Sequence, residues 1–269
     1  MTTPTLARTF HELHQGGLLV LPNAWDAGSA RVIEDAGAKA IATSSAAVAW
    51  SHGYPDGEAL PKAALLSTVR AIVRVVDIPV SVDLEAGYAR DPRATGAFAA
   101  EVVGVGAVGV NVEDGTAPSD LLAAKIEQAK EQASQAGVDL WINARVDVYL
   151  RKLKEGEGAY QETVNRAKRY RAAGANSIFV PGVSEEALIA RLVGDVGLPL
   201  NVLVWPGLPP TQKLRALGVR RLSAGAGLAR VALNRVHAMS AAFLADGRSE
   251  PFSEGSLRSP EINAMMRPA

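Results

Sequence analysis

The stretch "IPVSVDLEAGYARDP" (residues 78–92) opens as a short valine-rich run, places Asp83 and Glu85 at its end, and turns at Gly87 before an alanine-rich segment. Seven further runs resemble it. They are "LLVLP" (18–22), "KAIATS" (39–44), "AVGVNVE" (107–113), "DLWINAR" (139–145), "SIFVP" (177–181), "LNVLVW" (200–205) and "RRLSA" (220–224). Most are continuously apolar, as parallel strands covered by helices should be. Between them lie alanine-rich segments of helical periodicity, such as "GSARVIEDAG", "PKAALLSTVRAIVRVV", "SDLLAAKIEQAKEQASQAG" and "AYQETVNRAKRYRAAG". Several end at a glycine just before the next strand (Gly37, Gly106, Gly137, Gly174 and Gly218), the usual left-handed stop. Eight such units in about 250 residues predict an α/β fold, the (β/α)8 TIM barrel. A doubly wound open sheet is the alternative, but no G-x-G-x-x-G follows the first run.

The barrel should occupy residues 1–246 as the catalytic domain. Residues 247–269, rich in Ser, Pro and Gly, read as an arm packing on the barrel or on a neighbouring subunit. Within the arm "SPEINAMM" predicts a short helix, with Ser259 as N-cap and Pro260 at the first position.

Composition narrows the function. The chain has 269 residues, 48% hydrophobic, and its 28 basic and 28 acidic residues cancel without any block of like charge. Neither nucleic acid nor a membrane surface is an expected partner. With no cysteine there is no disulfide, thiolate metal site or cysteine nucleophile. No secretory h-region and no membrane-spanning run is visible, which predicts a cytoplasmic protein.

In such a barrel the active site lies at the C-terminal ends of the strands. The first run ends in Asn23 and Asp26, the second in Thr43, Ser44 and Ser45, and the third in Asp83 and Glu85. The fourth ends in Glu113 and Asp114; the fifth carries Asn143, Arg145 and Asp147 on one face, two residues apart. Three carboxylates (Asp83, Glu85 and Glu113) thus converge with a guanidinium across from them. Oxygen donors without soft ligands suit a hard divalent cation. Arg145 is shaped to grip a carboxylate or enolate oxygen. The competing reading is a salt-bridge network that only closes the barrel top.

The stretches "LPNAWDAGSARVIEDAGAKAIATSSAAVAWSHGYPDGE", "VDLEAGYA", "VNVED", "NARVDVY" and "LSAGAGLAR" resemble the isocitrate lyase/phosphoenolpyruvate mutase superfamily over nearly the whole chain. The resemblance implies a (β/α)8 barrel whose eighth helix swaps between subunits, in a dimer that pairs into a tetramer. It implies Mg2+ (Mn2+ as an alternative) and a small 2-oxo acid or related carboxylate. By the same resemblance Asp83 is the direct metal ligand, with Glu85 and Glu113 acting through water. Arg145 clamps the substrate carboxylate, Ser44 and the amide of Ser45 meet carboxylate and enolate oxygens, and Asp56 closes on the site from the loop after the second strand.

The chain also departs from this family. The lyases carry a Lys-Lys-Cys-Gly or Lys-Arg-Cys-Gly loop after the fourth strand, where this chain reads "EDGTAPSDLL". Their Asn-x-Thr-Glu pattern on the seventh strand is replaced by "LNVLVWPG", and the histidine some mutases carry after the sixth is replaced by "FVPG". Thr116 is the candidate acid–base group in the shortened loop. These losses favour an Mg2+-dependent C–C lyase of a small 2-oxo or 2-hydroxy acid, with oxaloacetate-type decarboxylation preferred over isocitrate or methylisocitrate cleavage. The alternatives are a phosphonopyruvate hydrolase or mutase acting on a C–P bond, and a barrel that binds a 2-oxo acid without turning it over. His52 could act as an acid–base group or stand as a solvated loop residue. "SAGAGLAR" could cradle phosphate or simply permit tight packing, and Ala49, Trp50 and Trp205 could line the pocket.

Overall fold

The computed structural model describes residues 2–253 and 255–267. All eight runs form parallel strands, the first divided at Pro22 into β1 (Leu19–Leu21) and β2 (Asn23–Ala24). Proline offers no ladder donor, so the strand breaks there. The rest are β3 (Ile41–Thr43), β4 (Val80–Asp83), β5 (Gly109–Glu113), β6 (Trp141–Arg145), β7 (Ser177–Phe179), β8 (Leu200–Leu203) and β9 (Arg221–Ser223). Their hydrogen-bonded order is β1-β9-β8-β7-β6-β5-β4-β3-β2. Because β1 and β2 are halves of one run, that order closes on itself. The barrel is the expected one, with Leu19 opposite Arg221 on one side of the seam and Asn23 opposite Ala42 on the other.

Helix α1 (Thr3–Gln15) precedes the barrel. The strands then alternate with α2 (Ala27–Asp35), α3 (Ser45–Ser51), α4 (Lys62–Val75), α5 (Pro92–Gly104), α6 (Ser119–Gln135), α7 (Gly156–Ala172), α8 (Glu186–Asp195), α9 (Thr211–Ala216) and α10 (Gly227–Asp246). Two short helices follow, α11 (Glu250–Ser253) and α12 (Ser259–Met265). The five glycines expected as helix stops all have positive φ. Helix α3 occupies sequence read as loop; its Ala47, Val48 and Ala49 are buried. The N-cap of α12 is Arg258 rather than Ser259, because the Glu261 carboxylate reaches back to accept from the Arg258 amide (3.0 Å). Arg31 Nε donates to the Met265 carbonyl (2.9 Å), which holds α12 on α2 of the same chain. Three residues of the proposed arm, 254, 268 and 269, lie outside the described residues.

The floor of the barrel is plugged by α1. Phe10 is fully buried, and it enters because position 109 is glycine: a Cβ there would fall 2.7 Å from the Phe10 ring. His14 stacks on Trp141 with ring centroids 3.9 Å apart. A phenylalanine so enclosed contributes about 3–5 kcal/mol by the cost of truncating it to alanine. Among the described residues no helix is long and apolar enough to cross a membrane.

Candidate active site

At the C-terminal ends of the strands a cavity of about 140 Å³ is lined by Ser44, Ser45, Asp56, Asp83, Asn111 and Arg145, with Leu150, Phe179 and Leu203 among the apolar walls. Six residues expected at or just beyond the strand ends (Asn23, Ser44, Ser45, Asp56, Asp83 and Arg145) thus share one cavity. Glu85, Glu113 and Thr116 are not among its lining residues, and Thr116 stands exposed on the turn after β5.

Asp83 ends β4. Its Oδ2 accepts from the Ser45 amide (3.1 Å), and its own amide donates to Thr43 Oγ1 (2.9 Å). The Ser45 N–H expected to meet substrate is therefore given to Asp83. Glu85 follows in the left-handed region at φ 51°, an uncommon conformation for a side-chain-bearing residue. Its Oε2 accepts from the Glu58 amide (2.7 Å) and its Oε1 from the Tyr88 hydroxyl (3.2 Å), while Glu58 Oε1 takes the Tyr88 amide (2.6 Å). The loop after α3, expected to move, is here latched to the turn after β4. Burial pushes Glu85 up to about 7, the Glu58 N–H opposes this, and the charges of Asp83 and Asp56 add to it.

Arg145 is not set across from the acids. It bonds both Asp147 oxygens through Nε (2.6 Å) and Nη2 (3.1 Å), and Nη1 lies 2.5 Å from Glu113 Oε2. Arg151 bridges the same two acids, at 2.9 Å from Asp147 Oδ2 and 3.5 Å from Glu113 Oε1. Burial favours a neutral guanidine, yet Glu113 and Asp147 keep Arg145 firmly protonated. Burial also lifts Glu113 up to about 8, with Arg145 opposing. Asp147 is held from behind, its amide donating to Asp114 Oδ1 (2.9 Å), and Asp114 is fixed by Arg166 (2.8 Å) and Tyr170 (2.7 Å). This network positions Arg145, and it consumes Asp114 and Asp147 as scaffold.

The three acids do not form one compact cluster: among the described residues, no group of three His, Asp or Glu side chains is gathered closely enough to hold a metal directly. The donor chemistry nonetheless fits a hard cation. Asp83 faces the cavity, every nearby candidate donor is oxygen, and Glu85 and Glu113 are lifted chiefly by burial and in part by the charge of Asp83.

Other expectations resolve locally. Asp26 caps α2, accepting from the Ser29 amide (2.6 Å). Asn23 Oδ1 takes the amides of Ala224 (3.0 Å) and Gly225 (2.8 Å), so "SAGAGLAR" has two fewer N–H groups for phosphate. His52 Nε2 pairs with Thr68 Oγ1 (2.8 Å), towards α4. Trp50 lines a separate apolar groove with Trp25 and α10, Ala49 is buried, and Trp205 is not a cavity residue.

Residues 10–244 match the family model described as phosphoenolpyruvate phosphomutase. The chain belongs to the isocitrate lyase/phosphoenolpyruvate mutase superfamily. It is 37% identical over 223 residues to the uncharacterized Mycobacterium tuberculosis protein Rv1998c, covering 81% of each chain. A Burkholderia cenocepacia J2315 protein solved as a candidate phosphonomutase superposes with a TM-score of 0.85 at 38% identity, over 91% of this chain and 100% of that one. Oxaloacetate decarboxylase 1 of Pseudomonas fluorescens is 25% identical over 202 residues, 73% of this chain and 70% of that one. Members of the superfamily are lyases and mutases, and this chain contains no cysteine.

Sequence reasoning missed three residues of the site. Glu58 and Tyr88 form the loop latch, and their contacts span about thirty residues between loops, which no periodicity reveals. Asn111 lines the cavity two positions before Glu113, and that spacing on an inward strand face was the available signal.

Proposed function

We propose that this chain is an Mg2+-dependent carbon–carbon lyase of a small 2-oxo or 2-hydroxy acid, and that decarboxylation of an oxaloacetate-type diacid is its preferred reaction. The observation that carries the reading is the pairing of Asp83 and Arg145 on one cavity of about 140 Å³. That volume is about five times a water's share of the liquid, well below a drug-sized site, so the substrate is small. Arg145 offers N–H groups beyond those given to Asp147 and Glu113, and these can take a carboxylate. Ser44 and Asp56 stand on the same cavity to orient it.

Asp83 would hold Mg2+ directly, with Glu85 and Glu113 acting through water; when bound, the cation supplies Lewis-acid charge to the 2-oxo carbonyl. The chain's own part is to bind the diacid, screen it from solvent with the latched loop, and offset negative charge as the C–C bond breaks. The electron pair left by departing CO2 becomes an enolate, which Arg145 helps to stabilise. Solvent water returns a proton to carbon, and pyruvate leaves. This route needs no cysteine. It draws support from the oxaloacetate decarboxylase relative and from the shortened "EDGTAPSDLL" loop.

A C–P substrate is the second reading, favoured by the likeness to the Burkholderia protein. We further propose a homo-oligomer in the cytoplasm. Helix α10 supports the assembly, since Val231, Leu233, Val236 and Leu244 are each more than half exposed on it. The test is purified protein with Mg2+ or EDTA against a panel of 2-oxo and hydroxy diacids and phosphonopyruvate. Pyruvate formation from oxaloacetate above the rate of Mg2+ alone is expected. Phosphate release from phosphonopyruvate would install the second reading, and ligand binding without product would make the barrel a binding protein.

A further inference from the structure

Beneath the cavity the barrel interior is polar. Asn111, Asn143 and Ser177 stand opposite one another in register on β5, β6 and β7, and each is buried. Arg221 on β9 is fully buried among them, with no carboxylate partner among the described residues. The hydrogen bonds form a chain with one direction. Trp141 Nε1 donates to Ser177 Oγ (2.9 Å), Ser177 Oγ donates to Asn143 Oδ1 (2.7 Å), and Asn143 Nδ2 donates to Asn111 Oδ1 (2.8 Å). Arg221 Nη2 donates to the same Asn111 oxygen (3.3 Å).

Indole and guanidinium can only donate. Ser177 must therefore pass its proton on, and both amides must point their oxygens back along the chain. Two donors fill Asn111 Oδ1, so the Asn111 amide cannot turn over without facing N–H to N–H. Its Nδ2 is left as the free end. That nitrogen donates to no group among the described residues, Asn111 lines the cavity, and it stands in register beside Asp83. Open to the cavity, that N–H bonds solvent until a ligand brings an acceptor oxygen to it, and a charged acceptor makes the stronger bond.

We propose that Asn111 is a substrate-contacting residue: its Nδ2–H, aimed by the donor chain from Trp141 and Arg221, hydrogen-bonds an anionic oxygen of the bound acid. Trp141 and Arg221 are its positioning residues. The inference rests on the reading of the cavity as a site for a small carboxylate and adds to it a specificity determinant. It predicts a preference for ligands with an anionic oxygen at that point over those with an ammonium or amide N–H there.

The test uses oxalate, a planar dianion, titrated calorimetrically into the full chain with saturating Mg2+; Mg2+ alone is titrated separately. Asn111→Asp keeps both acceptor contacts to Arg221 and Asn143 but turns an acceptor towards the cavity. Oxalate affinity should fall by about 100-fold or more through like-charge repulsion, with Mg2+ affinity unchanged or tighter. General damage would weaken both. Should Asn111→Asp not fold, Asn111→Ala removes only the donor and should weaken oxalate about tenfold. Wild-type affinity in the folded variants would overturn the Asn111 assignment and leave the proposed function standing. Failure of the wild-type chain to bind oxalate would overturn the carboxylate reading, and the Asn111 assignment with it.

Discussion

Replacing His14 with phenylalanine should remove one defined part of the acid sensitivity of the fold. His14 is 2% exposed, stacked on Trp141, with Nδ1 at 2.8 Å from the Phe10 carbonyl and Nε2 without a partner among the described residues. A neutral ring suits this place. Burial pushes its pKa from 6.5 down to about 3, and the Arg221 guanidinium adds to the depression. Between those values the unfolded chain carries a proton at His14 that the folded chain refuses. Stability contributed by the neutral ring is therefore whole above pH 6.5 and is lost as pH falls towards 3, at about 1.4 kcal/mol per unit. From about pH 7.5 to pH 5 the loss assignable to this residue is about 2 kcal/mol. Urea unfolding of wild type and His14→Phe at the two pH values measures it, since carboxylates elsewhere titrate alike in both and cancel in the difference. Phenylalanine keeps the stack and gives up the bond to Phe10, so the variant starts lower at pH 7.5 but declines less on acidification. Parallel declines in the two proteins would refute the argument.

Gly96→Ala should destabilise the chain at the contact of α5 with α6, where a Cβ would lie 2.8 Å from the Gln128 carbonyl oxygen. Overpacking against backbone costs about 1–3 kcal/mol, which calorimetry would read as a lower Tm. Asp83→Ala should abolish the rise in Tm that Mg2+ gives the wild type, about 2.7 kcal/mol of stabilisation at a hundred times Kd; a thermal shift retained in the variant would refute the metal assignment. Glu58→Ala deprives the Tyr88 amide of its partner and loosens the loop that carries Tyr54. Amide hydrogen exchange at residues 56–58 should accelerate while urea stability changes by no more than about 1.5 kcal/mol.

The strands and the acids at their ends were legible because both are local signals. A continuous apolar run marks a covered strand, and period two puts Asp83 and Glu85, or Arg145 and Asp147, on one side. Pairing is not local. That Arg145 lies against Glu113 and Asp147 rather than facing open space depends on Asp114, Arg166 and Tyr170 behind them, the first just after β5 and the other two on α7. Helix α3 escaped notice because seven residues give barely two turns of periodicity, and its Ser44 cap bond is long at 3.5 Å. Trp50 was placed by sequence proximity to the loop, whereas the helix turns it towards α10. The orientation of Asn111 needed the register of three strands and a buried arginine 110 residues away.

The break at Pro22 has a kinetic meaning. β2 finds its partner about twenty residues on, but β1 pairs with β9, Leu19 with Arg221, some two hundred residues later. The ring cannot shut during synthesis until nearly the whole barrel has left the ribosome. Until then Phe10 and His14 have only half a floor to plug. Loop closure over that span is slow, so formation of the α1–β1–β9 seam should be the last and rate-limiting event of folding. Amide protection in β4, β5 and β6 should accordingly appear before protection in β1.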